Sequence, residues 1–194
     1  MPTLRRGFKT WCENSARGYR RELKLSPVAP LDPRVLAQHL GITIWTPAEI
    51  PGINPKDVHH LTVVARESWS AGTLRNGNAS LIIINNGHAV TRQNNSLAHE
   101  IGHIVLRHEP AKMYVTPDGL MMMSEYNAIH EEEANWFAGA ILVPRDALLD
   151  AAARGLTDSV AADYFGVSNA VFQMRRNRTG VDIQLSRRRG TWAP

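Results

Sequence analysis

Ser96-Leu97-Ala98-His99-Glu100-Ile101-Gly102-His103-Ile104-Val105-Leu106-Arg107-His108 is the stretch on which the reading of this chain turns, and its centre, 99–103, has the form H-E-x-x-H. Leu97, Ala98, Ile101, Ile104 and Val105 recur at helical spacing and make an apolar stripe. Positions i and i+4 of a helix share a face, so His99 and His103 can offer two imidazole nitrogens to one metal ion. Glu100 stands beside them, where a carboxylate can take a proton from a metal-held water. This is the pattern of a zinc-assisted hydrolase. We expect Thr91 to cap the helix and His108-Glu109-Pro110 to end it, because the residue before a proline avoids helical geometry. Gly102 costs a helix about 1 kcal/mol relative to alanine. Its place inside the motif implies that another backbone passes close by.

Upstream, Ser80-Leu81-Ile82-Ile83-Ile84 is a β-branched run closed by Asn85-Asn86-Gly87, and it reads as a buried strand leading into the helix. His60-Leu61-Thr62-Val63-Val64-Ala65 reads as another strand. A strand beside the metal helix can hold an extended peptide by backbone hydrogen bonds, although the sequence does not say which strand is the edge. A catalytic zinc needs a third protein ligand and keeps one position open. Candidates lie in His130-Glu131-Glu132-Glu133-Ala134-Asn135-Trp136-Phe137-Ala138, a second helical pattern that Pro144 ends. Successive residues project roughly 100° apart, so only one or two of the glutamates can face the metal. Glu131 shares a face with Ala134, Asn135 and Ala138; it leads, with Glu133 second and His130 third. The alanines would allow a close approach of the two helices, and Asn135 could hold the outer nitrogen of a ligating histidine.

The 96–108 string, followed by Glu131-Glu132-Glu133-Ala134-Asn135-Trp136-Phe137-Ala138-Gly139-Ala140-Ile141-Leu142-Val143-Pro144, resembles the ImmA/IrrE family of bacterial and phage metallopeptidases. Asp32-Pro33-Arg34-Val35-Leu36-Ala37-Gln38-His39-Leu40-Gly41-Ile42 is similar to that family's segment of a short helix leading into a first strand. The resemblance implies an α+β fold. A zincin-like core, with a small sheet, an active-site helix and a glutamate helix, precedes a helix-turn-helix-like helical region. It implies a zinc endopeptidase of gluzincin type, with His99, His103 and Glu131 as metal ligands and Glu100 as catalytic base. It also implies a helix-turn-helix repressor as protein substrate, whose cleavage would turn on stress or mobile-element genes. Gly139 stands where the family usually has alanine, and Val143 where methionine is common. Two histidines and a carboxylate also suit iron or manganese.

Four segments are expected: a basic N-terminal helix over 1–27, a zinc metallopeptidase domain over 28–150, a helix-turn-helix-like region over 151–180 and a flexible basic tail over 181–194. Thr157 would cap a helix through Tyr164-Phe165, Gly166 would supply a left-handed turn, and Ser168 would cap a helix through Arg176. Arg175, Arg176 and Arg178 invite a DNA-binding reading, which is not favoured over a helical hairpin docked on the peptidase. The alternatives to a peptidase are a DNA- or protein-binding regulator with a structural or inactive metal site, and a component of a toxin–antitoxin pair. The chain of 194 residues has 22 basic and 18 acidic side chains, a net charge of +4, concentrated at its two ends. No run approaches the roughly 20 apolar residues of a membrane span, nor is there a signal-peptide core. The single cysteine, Cys12, suits a reducing cytoplasm. Met121-Met122-Met123 would border the substrate groove or pack in the core. Tyr114, Tyr126, His108 and His130 are unranked candidates for oxyanion stabilisation.

Overall fold

The computed structural model describes residues 4–109, 113–115, 121–123 and 127–190. Its centre is a three-stranded sheet of β1 (Thr43–Trp45), β2 (Ala71–Asn76) and β3 (Ala79–Ile84) in the order β1-β3-β2. β1 runs parallel to β3, and β2 runs antiparallel to it. The Leu81–Ile84 run occupies the middle strand, with Ile82 and Ile84 buried, as a β-branched apolar run should. β1 follows helix α2 (Pro33–His39), which Asp32 caps and Pro33 starts. β2 was not among the expected strands. Its signal is the Asn76-Gly77 pair: Asn76 faces Ala79 across a two-residue turn in which Gly77 takes φ +58°.

The strand expected over 60–65 is absent. Asn54 and Pro55 instead start helix α3 (Pro55–His59), and the winding continues as a π-helix, His60–Val64. The β-branched Thr62, Val63 and Val64 fit either conformation by composition, and here the capped start decides. Thr62 Oγ1 donates back to the Val58 carbonyl at 2.8 Å, and the Ala65 amide to the His60 carbonyl at 2.7 Å. The segment is seated on Gly87, where any Cβ would lie 2.1 Å from the Thr62 carbonyl oxygen. Asn85, fully buried, donates to the Arg66 and Trp69 carbonyls and anchors the same loop.

Helix α4 (Val90–Val105) carries the motif and buries Leu97, Ala98, Ile101 and Gly102. Thr91 lies inside it; the cap position is Ala89, which has no side-chain bond to offer. The helix also stops before His108: Arg107 turns left-handed at φ +56°, and the His108 amide bonds back to the His103 carbonyl. β4 (Met113–Val115) and β5 (Met121–Met123) pair antiparallel. Helix α5 (Ala128–Leu142) then starts at Asn127, whose side chain accepts from the Ile129 and His130 amides. From Glu133 onward α5 is buried almost all round, because two cores meet on it. One core joins the sheet, α4 and the basic helix α1 (Phe8–Glu22) through Phe8, Cys12 and Ala16. The other joins α6 (Arg145–Ala153), α7 (Asp158–Phe165), α8 (Asn169–Thr179) and α9 (Val181–Gly190).

Thr157 and Ser168 cap α7 and α8, and Gly166 makes the left-handed turn between them, all as expected. α8 runs three residues past Arg176 to Thr179. The stretch expected to be a loose tail contains α9, held by buried Val181, by Asp182 on Arg176 and by Gln184 on Arg145. Among the described residues, no helix is long and apolar enough to cross a membrane.

Candidate metal centre

α4 and α5 pack face to face at Gly102. A Cβ there would meet Ala134 Cα and its carbonyl oxygen at 3.3 Å and Phe137 Cδ1 at 3.2 Å. The close backbone implied by that glycine is therefore α5. The approach brings one ligand atom each of His99, His103 and Glu131 within 4.8 Å of one another. The two Nε2 atoms are 3.0 Å apart, and Glu131 lies 3.2 Å from His99 and 3.4 Å from His103. Tetrahedral ligands at about 2.0–2.1 Å from zinc are separated by roughly 3.3–3.4 Å. The donor set and its spacing thus fit one metal ion.

Of the three candidates on α5, Glu131 alone joins the histidine pair. Glu133 turns to His108 Nε2, 3.0 Å away. His130 stacks on the His108 ring at 4.2 Å, with planes only 4° apart. Asn135 Oδ1 lies 3.0 Å from His99 Nδ1, where it can accept the ring proton. His108 is buried with both ring nitrogens occupied, by His103 and by Glu133, so it has no nitrogen left for an oxyanion. Tyr114 lies in β4, and Tyr126 falls outside the described residues.

Burial, followed by the neighbouring His99, His108, His130 and Arg75, pushes the His103 imidazole down to about 3. The ring is therefore held neutral, the form that ligates. His108 is lowered as well, again chiefly by burial, against the pull of Glu133.

Two residues of β2 complete the surroundings and were missed because the strand was missed. Thr73 Oγ1 donates to Glu100 Oε2 at 2.5 Å. Arg75 donates to the His103 carbonyl at 2.8 Å and the His108 carbonyl at 3.1 Å, satisfying the end of α4. The edge strand is thus fastened to the motif helix at two points.

Residues 52–177 match the family model of Peptidase_M78, the IrrE N-terminal-like domain, and span well over half of the chain. The chain belongs to this family. No curated protein matches it. Membership of Peptidase_M78 makes this a metallopeptidase-family protein, and the His99, His103 and Glu131 group can hold the metal that such a family uses. The matched residues run from before β2 to the end region of α8.

Proposed function

We propose that this Peptidase_M78 protein is a zinc-dependent endopeptidase that cuts a helix-turn-helix transcriptional repressor and so derepresses stress or mobile-element genes. The observation that carries the hydrolytic part is the convergence of His99, His103 and Glu131 next to Glu100. The repressor as substrate rests on the family resemblance. His99, His103 and Glu131 would hold the ion. When bound, zinc lowers the pKa of a water it holds and polarises a carbonyl. Glu100 takes the proton of the attacking water and passes one to the leaving amine. Thr73 steadies one carboxylate oxygen of Glu100 and leaves the other to accept. Among the described residues β2 is an edge strand that contacts α4, so an extended peptide can add to its outer side.

The regulator alternative draws on the Ala162–Ser168 pattern and the basic ends of the chain. Of the basic residues on α8, Arg175 pairs with Glu13, Arg176 with Asp158 and Asp182, and Arg178 with Glu132, so these three are engaged within the chain. The test uses the zinc-loaded chain with candidate helix-turn-helix repressors, and fragments mapped by mass. Wild type should cut at one place. Glu100→Gln should keep its metal and lose at least about 100-fold in rate. Undiminished cleavage by Glu100→Gln would overturn the mechanism, and an intact repressor with wild type would overturn the substrate.

A further inference from the structure

The two histidines of the site are held from behind in different ways. His99 Nδ1 meets the amide oxygen of Asn135 directly. His103 Nδ1 instead lies 3.0 Å from His108 Nδ1, and His108 Nε2 lies 3.0 Å from Glu133 Oε2. Each of these contacts needs one donor and one acceptor. His103 Nε2 faces His99 and Glu131, and its lone pair must stay free to ligate. The proton of His103 is then on Nδ1 and is donated to His108 Nδ1. His108 accepts there, so its own proton is on Nε2, where the carboxylate accepts it. The reverse arrangement would aim a proton from His103 into the ligand group and turn a bare imidazole nitrogen towards a carboxylate.

We propose that His108 and Glu133 are positioning residues, a carboxylate–imidazole relay that fixes the tautomer and direction of His103 for the metal. The proposal rests on the metal-site reading above. Its parts are otherwise immobilised. His130 lies flat on the His108 ring, Arg75 holds the His108 carbonyl, and Arg5 Nε lies 3.5 Å from Glu133 Oε1. Two adjoining buried polar groups, as His108 and Glu133 are, are costly in a core unless bonded. The bonds they make lead to one place, the outer nitrogen of His103. Partners of this kind are worth about 10–100-fold in metal affinity.

The test reads zinc affinity of the full chain by competition with a chelator. Binding by wild type and its loss in His99→Ala report on the site itself. Against that, His108→Leu should bind about 10–100-fold more weakly. His108→Asn, whose amide oxygen stands near the place of Nδ1, should restore affinity close to wild type. Equal affinity of wild type and His108→Leu would overturn the relay and leave the site reading standing. So would His108→Asn as weak as His108→Leu, the mark of packing alone. A wild type that binds no zinc would overturn both. If His108→Leu fails to fold, nitrogen-resolved histidine NMR of the zinc-loaded wild type decides: His108 protonated on Nε2 supports the relay, and on Nδ1 overturns it.

Discussion

Burial among His99, His108, His130 and Arg75 holds the His103 imidazole neutral, down to about 3. In the metal-free chain this sets a pH dependence. An unfolded histidine titrates near 6.5, at about its ordinary value. Between there and the folded value the unfolded state binds a proton that the folded state refuses. Stability contributed by the neutral ring is therefore full above about pH 6.5 and falls as the pH drops below it. Urea unfolding with chelator present should show the loss setting in below about pH 6.5 and continuing towards about pH 3, and His103→Gln should reduce it. An unchanged pH dependence in that variant would place the effect elsewhere. Thr73→Val removes the hydrogen bond to Glu100. A bond to a charged group is worth about 1.5–3 kcal/mol; kcat should fall about tenfold, with metal content unchanged, and a full-rate variant would show that Glu100 needs no such hold. Glu100, His99 and His103 were legible because their spacing is a property of one helix. Thr73 was not, because it reaches Glu100 from another element.

Gly102 and Gly139 show how two helices set the site. Alanine at 102 gains about 1 kcal/mol of helix propensity, but its Cβ would press on the Ala134 backbone and buried Phe137. Overpacking costs about 1–3 kcal/mol. Gly102→Ala should therefore lower the melting temperature, and also weaken metal binding by moving Glu131 away from the histidines. A stabilised variant of unchanged affinity would show that the contact is slack. Gly139 has its own reason. A Cβ would fall 2.5 Å from Arg175 Cδ, and Arg175 is fixed by the Val143 carbonyl. Gly139→Ala should cost about 1–3 kcal/mol in denaturant unfolding. At this scale the sequence was readable where a cap or a run spoke for itself, at Thr157, Ser168 and Leu81–Ile84. It misled at His60–Val64, where local composition allowed two conformations.

Across the whole molecule, the basic ends are partly structural. Arg20 on α1 is fully buried and donates to the Ala29 and Ile141 carbonyls, and burial lowers it to about 10. Arg175 on α8 crosses under α5 to Glu13 on α1, at 2.5 Å, and to the Val143 carbonyl. Both arginines tie the chain's ends to the last turn of the glutamate helix. Breaking a buried pair from one side costs about 3–5 kcal/mol, so Arg175→Met should destabilise by about that much in denaturant unfolding. A neutral effect would mean that Glu13 reaches water once freed. Asn94 adds a further tie, bonding the Gly166 carbonyl and Arg34, and so locks the α7–α8 turn to the motif helix. The sequence by itself determined the motif helix, the shared face of His99 and His103 with Glu100 beside them, the glutamate helix and the capped C-terminal pair, because each is written in spacings of one turn or in single capping residues. Only the tertiary structure decided which glutamate joins the histidines, that β2 is the edge beside them among the described residues, that His108 and Glu133 stand behind His103, and that Arg20 and Arg175 face inward. Those outcomes depend on which distant surfaces meet, and a helix presents several faces of similar composition until packing selects one.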